Sequence, residues 1–263
     1  MPTHDPPKTP GSIALFGRDH VDYGRYDTVC LNGGTTACTI SVGADPKAAS
    51  RKTRGGADSL NEDALYACDL GDQLLVAVAD AHFGRESSHW LIAEISRLTP
   101  DIPREPQELQ RRLRSIQPSH EALVSASTLL VAVYQRSRQH GFGFSLGDSS
   151  LAIVAPEGAR VVNLRSPHFL SPATKGGLDW DQADPFVFFA GPGSLLLAFS
   201  DGINECHYRS PRSSVAESHL HQLFREVGPR PELYARRLTE LALAGVDGNP
   251  GGEDNICLAV SQS

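Results

Sequence analysis

Two acids side by side, Glu62 and Asp63, precede an apolar run from Ala64 to Leu70, and a second run from Gln73 to Ala79 ends at a third acid, Asp80. Gly71-Asp72 lies between the runs. Glycine followed by a small polar residue suits a two-residue hairpin loop that needs a positive φ at its first position. A hairpin closed there pairs Asp63 with Asp80 and Glu62 with Ala81. Three carboxylates then meet at one end of the hairpin, where like charges repel unless one holds a proton or all share a cation. Hard oxygen donors of this kind suit Mg or Mn rather than Zn. Taken alone, a few solvated acids at a turn are the competing reading.

Further acids repeat the pattern. Asp201 follows the apolar run Leu195 to Phe199, and Asp254 precedes the run Ile256 to Val260, each beside Gly or Asn. Gly147-Asp148-Ser149 separates two more apolar runs and reads locally as an ordinary turn. Ends of strands on a rigid scaffold are where reactive side chains are presented.

The elements that must position these acids are mostly strands. Tyr23 to Leu31 and Thr35 to Val42 read as strands from β-branched content and alternation. Thr128 to Tyr134, Gly141 to Leu146, Ser150 to Ala155 and Arg160 to Leu164 follow at hairpin spacing and predict an antiparallel meander, because the connections are too short for crossover helices. Phe186 to Phe189 and Leu195 to Phe199 predict a strand pair across Gly191-Pro192-Gly193. Helical periodicity marks Glu86 to Leu98, Glu108 to Ile116 and Pro231 to Ala244. Ser166 to Pro185 is a long irregular segment of a length that is often functional.

Composition narrows the function. The formal net charge of −7 gives no basic field for nucleic acid or anionic lipid. No apolar stretch approaches the ~20 residues that span a bilayer, and no cationic start leads into an apolar run. The five cysteines lack CxxC spacing, and four lie in or beside apolar runs, so a reducing, cytoplasmic setting is expected. Residues 1–11, with four prolines and a glycine, predict a flexible N-terminal arm, and 12–263 a single domain. A zinc hydrolase is a poorer fit, since only His219 and His221 form a close pair and neither is near the acids in sequence.

In order, Asn61-Glu62-Asp63, Asp80-Ala81-His82-Phe83-Gly84, Ser127-Thr128-Leu129-Leu130, Gly147-Asp148-Ser149, Leu197-Ala198-Phe199-Ser200-Asp201-Gly202 and Gly252-Glu253-Asp254-Asn255 resemble the motifs of the metal-dependent protein phosphatases of the PPM, or type 2C, family. Each motif is weak singly; the set, in family order over roughly residues 30 to 263, is specific. The resemblance implies an α+β fold, a four-layer α-β-β-α sandwich of two antiparallel sheets flanked by helices. It implies two Mn or Mg ions at one edge, with room for a third. Asp80 would bridge both ions, Asp201 and Asp254 would complete one site, and Glu62 with the carbonyl of Ala81 the other. Asp148 would serve a weaker third site, and Asp63 would hold metal-bound water. The implied reaction is hydrolysis of a phosphoserine or phosphothreonine protein by water activated between the ions. His82 would either protonate the leaving alkoxide or support the metal ligands. A monomer acting on phosphoprotein substrates is expected.

Two departures bear on substrate. The family's phosphate-gripping Arg falls at Asp58, leaving Arg54 and Arg85 as the nearest candidate cations in sequence, and the usual Asp-Gly-His-Gly-Gly has become Asp80-Ala81-His82-Phe83-Gly84. The alternative reading is therefore a phosphatase-like binding or regulatory module with weak or no turnover.

Overall fold

A computed structural model of the chain describes residues 11–46, 60–98, 101–116, 125–170, 180–207 and 210–263. The expected arm lies outside the described residues but for Gly11, whose carbonyl accepts the Asp69 N–H at 2.8 Å. Asp58 and Arg54 also lie outside them.

In chain order the first strands are β1 (Ser12–Phe16), β2 (Asp27–Leu31), β3 (Thr36–Ser41), β4 (Asp63–Asp69) and β5 (Gln73–His82). After helices α1 (Glu86–Arg97) and α2 (Pro106–Ser115) come β6 (Ala126–Ser127), β7 (Leu129–Gln135), β8 (His140–Leu146), β9 (Ser150–Ala155) and β10 (Gly158–Val161). The chain ends through β11 (Asp184–Phe189), β12 (Leu195–Phe199), the short α3 (Asp201–Asn204), α4 (Glu217–Val227), α5 (Pro231–Ala244) and β13 (Ile256–Gln262).

The β4–β5 hairpin forms in the expected register, with Asp63 opposite Asp80. Its loop is closed by Leu70 N–H donating to the Gln73 carbonyl at 2.9 Å, and Gly71 adopts φ +83°. One antiparallel sheet runs β1-β4-β5-β7-β8-β11, with β6 extending the far end of β5; the other runs β10-β9-β12-β13-β3-β2.

Alternation along each strand divides the core. Leu65, Ala67, Leu74, Val76 and Val78 face the second sheet, where they meet Cys38, Ile40, Ile153, Leu196 and Ala259. Their neighbours Tyr66, Cys68, Leu75 and Ala77 face α1 and α2, which bring Leu91, Ile92, Ile95, Leu109 and Leu113. On the other side α4 and α5 lay Leu220, Phe224, Tyr234 and Leu238 against Leu195, Leu197, Phe199 and Leu258. Central strands are thus buried on both faces and read as continuous apolar runs. The four layers are those expected.

Two strand pairings differ from expectation. β7–β8 and β9–β10 are hairpins in opposite sheets, so the meander breaks at Gly147-Asp148-Ser149. β11 and β12 do not pair either; β11 is the outer strand beside β8, whereas β12 sits between β9 and β13. Stacked sheets lie only about 10 Å apart, so a three-residue connection can cross between them as readily as it can close a hairpin. At the crossing Gly147 has φ +96°, and a Cβ there would stand 2.6 Å from the Thr128 side chain. Strand β1 and helix α4 are present without having been anticipated.

Among the described residues no helix is long and apolar enough to cross a membrane.

Candidate metal centre

The hairpin brings Asp63 and Asp80 to one edge of the first sheet, and both are buried. Thr128 fixes the backbone of Asp80 from both sides: its Oγ1 accepts the Asp80 N–H at 3.0 Å, and its N–H donates to the Asp80 carbonyl at 2.7 Å. The same Oγ1 lies 2.9 Å from Ser149 Oγ, which ties the end of β5 to the crossover carrying Asp148. Asp63 is bonded across the sandwich, its Oδ2 accepting Ser200 Oγ–H at 2.6 Å, and Ser200 Oγ in turn accepts the Cys257 N–H at 3.0 Å.

Asp201 enters from the second sheet, as the first residue of α3 directly after β12. Gly202 lets this turn close down on the other strand, since a Cβ there would stand 1.7 Å from the Asn255 carbonyl. The result is that Asp80, Asp148 and Asp201 each offer a carboxylate oxygen within 4.8 Å of the others. Asp148 is half-buried, and its Oδ1 is shut off from solvent with no hydrogen-bond donor among the described residues.

Glu62 and Asp254 stand in the adjoining loops and, among the described residues, do not join a group of three. Glu62 Oε1 accepts the Gly84 N–H at 2.6 Å, while its main-chain carbonyl accepts Ser88 Oγ–H and, at 3.4 Å, the Ala81 N–H. Asp254 is buried and accepts the Asn255 N–H at 2.7 Å. Asn255 links three segments: its Oδ1 accepts the Glu62 N–H at 2.9 Å, and its Nδ2 donates to the carbonyls of Val42 and Leu60, both at 3.1 Å.

Around the rim, His82 is half-buried with its ring edge-on to Phe169, centroids 4.9 Å apart. Phe83 is 66% exposed and holds φ +69°, a left-handed conformation that a bulky side chain rarely adopts. Arg85 is the residue before α1 and is half-buried. Arg54 lies outside the described residues. Buried His89, on α1, touches the Phe16 ring edge-on and is pushed down to about 3, by burial first and then by the positive charges of Arg18 and Arg85.

Sequence reasoning did not single out Arg165, whose guanidinium lies 2.7 Å from Glu205 Oε1 and 4.0 Å from Asp148 Oδ2. No local motif marks it; only the crossing between sheets brings it to Asp148. The roles of Ser200, Thr128 and Asn255 were also not read, although all three lie inside the quoted motifs.

Three carboxylates this close repel at neutral pH, and an all-oxygen donor set with a buried, donor-free oxygen fits a hard divalent cation. The group holds none of the His nitrogen or Cys sulfur donors that most zinc sites include.

The fold is that of the PP2C-type serine/threonine phosphatases. No family model matches the sequence, and no curated protein matches it either. Among solved structures, the catalytic domain of the serine/threonine protein phosphatase PstP in complex with two manganese ions is similar over 86% of this chain and 96% of its own, at 19% identity and a TM-score of 0.62. PppA, a key regulatory component of the T6SS in Pseudomonas aeruginosa, is similar over 92% of this chain and 99% of its own, at 19% identity and a TM-score of 0.57. RsbX in complex with magnesium is similar over 90% of this chain and 99% of its own, at 14% identity and a TM-score of 0.56.

Proposed function

We propose that the chain is a metal-dependent phosphomonoester hydrolase whose substrates are phosphoserine or phosphothreonine proteins. The observation that carries the reading is the convergence of Asp80, Asp148 and Asp201 from two sheets and a crossover, in a fold shared with a phosphatase solved with two manganese ions. The alternative, a phosphatase-like binding or regulatory module that keeps the metals or the fold but turns over weakly or not at all, is less favoured and is separated from this reading by the assay below.

Asp80, Asp148 and Asp201 would hold one Mn or Mg ion, and Glu62, the Ala81 carbonyl and Asp254 would extend the donor set toward a second. Bound ions supply a water nucleophile of lowered pKa and offset charge on the phosphoryl oxygens. The chain's own groups do the remaining work. His82, half-buried at the rim, delivers a proton to the departing serine or threonine oxygen. Asp63, held by Ser200, orients water beside the cluster. Arg85 and Arg54 are the cations read from sequence for the substrate phosphate. The reading includes action as a monomer in the cytoplasm; the five free cysteines, four of them buried, support the reducing setting.

The test is hydrolysis of an aryl phosphate and of a phosphothreonine peptide by purified protein, with EDTA and with added Mn or Mg. Turnover should require the metal and vanish in Asp80→Asn. Turnover in EDTA, or full activity in the variant, is inconsistent with the reading.

A further inference from the structure

We infer that Arg165 is a further cation that grips the substrate phosphate in this chain, beside the Arg85 and Arg54 read from sequence; the inference rests on the phosphatase reading above. The position where the related phosphatases are expected to carry their arginine is Asp58 here. A negative charge there disfavours phosphate, which leaves a role for a cation from elsewhere in the fold.

Arg165 is placed for this by its backbone as well as its charge. The preceding residue, Leu164, has its carbonyl bonded by Ser145 Oγ–H at 3.2 Å and by Asn163 Nδ2–H at 3.3 Å. The following residue, Ser166, donates its N–H to the Gly147 carbonyl at 2.8 Å and accepts the Gly147 N–H on its Oγ at 3.1 Å. Arg165 is therefore locked to the crossover that carries Asp148, one of the three clustered acids.

Its side chain is 40% exposed, so the guanidinium reaches the rim of the cluster and is not sealed beneath it. Glu205 holds one edge at 2.7 Å, and Asp148 Oδ2 lies 4.0 Å away. A planar guanidinium has five N–H donors, so one carboxylate contact leaves donors able to meet a second oxyanion two at a time. Asp148, 4.0 Å from the guanidinium, is itself within 4.8 Å of the Asp80 and Asp201 oxygens, which puts Arg165 beside any phosphoryl group held at the cluster. The competing role for Arg165 is a counter-ion that only balances Asp148 and Glu205. Such a role would alter metal affinity, whereas a phosphate grip alters phosphate affinity.

The test uses the full chain loaded with Mn and inorganic phosphate as the probe. Calorimetry measures phosphate and Mn affinity, and aryl phosphate turnover gives KM and kcat, in the wild type, Arg165→Ala and Arg165→Lys. The alanine variant should weaken phosphate binding about tenfold or more and raise KM by a similar factor, with Mn affinity unchanged. The lysine variant, which keeps the charge but not the fork, should recover part of the loss. Phosphate affinity and KM within about twofold of wild type in both variants would overturn the inference, as would an effect wholly accounted for by weaker Mn binding. Wild-type protein that turns over while Arg165→Ala matches it sinks this inference alone. Wild-type protein that neither binds phosphate nor turns over sinks the phosphatase reading with it.

Discussion

Replacing Asp80 by Asn should stabilise the metal-free protein while abolishing its response to metal. Asp80, Asp148 and Asp201 present oxygens within 4.8 Å of one another. At that separation and an effective dielectric of about 20, each pair of like charges costs roughly 3.5 kcal/mol, and Asp80 takes part in two pairs. Water on the side of half-buried Asp148 screens part of this repulsion. The net relief expected from the isosteric amide is therefore about 1–3 kcal/mol in EDTA. With Mn at about a hundredfold over its dissociation constant, the wild type should gain roughly 2.7 kcal/mol and the variant close to nothing. Adding Mn should therefore shift the difference between the two proteins by roughly 2.7 kcal/mol in favour of the wild type, reversing the order unless the relief lies at the top of its range. Urea denaturation of both proteins, with EDTA and with Mn, measures all four values. A variant less stable than wild type in EDTA, or one that gains as much from Mn, would refute the argument that these acids are held together for a cation.

Three further outcomes follow from particular residues. Asn255→Ala removes bonds to Glu62, Val42 and Leu60 at a partly solvated edge, and should cost about 2 kcal/mol in urea denaturation and weaken Mn binding; a change under about 0.5 kcal/mol would show that water replaces the amide fully. Phe83→Gly should raise stability by about 0.5–1 kcal/mol, because glycine takes φ +69° without strain and a 66% exposed ring gives up little packing; calorimetry showing a loss would mean that the ring packs against the fold. His89 is held near pKa 3 in the folded protein, below its ordinary 6.5, so between these values the unfolded chain binds more protons. The stability due to neutral His89 is then complete above pH 6.5 and falls as pH drops toward 3, by up to about 1.4 kcal/mol per unit. Stability measured against pH should lose that slope in His89→Gln, and an identical slope in both proteins counts against the assignment.

What could be read from the sequence was whatever local spacing decides. The register of β4 with β5 follows from where Gly71-Asp72 places the turn, and α5 spans the residues its apolar periodicity marks. Partners of strands are a different matter. Leu195 to Phe199 is plainly extended, but whether it joins Phe186 to Phe189 or lies between β9 and β13 depends on residues more than forty positions away. Asp148 shows the consequence for the site. As a turn between adjacent strands it would be peripheral, and as a crossover between sheets it stands beside Asp80 and Asp201. Arg165 was invisible for the same reason, since nothing near it in sequence is acidic except through the fold.

The same crossings explain why the acids can be held so closely. Asp63 and Asp80 belong to one sheet, while Asp201 and Asp254 flank strands of the other. A loop could bring such groups together only by ordering itself at an entropic cost of about 1–2 kcal/mol per residue, whereas strand ends are ordered already. What sets their spacing is the stacking of the sheets through Leu65, Val78, Ile40, Leu196 and Ala198, sealed at the site by the chain Asp63–Ser200–Cys257 and by Asn255. Close-packed interiors yield little to local strain, so repulsion among the carboxylates cannot be relaxed by spreading them apart without disturbing the inter-sheet core. Arg165, 4.0 Å from Asp148, offsets part of that charge from one side, and a cation bound among the three carboxylates would offset it at the centre.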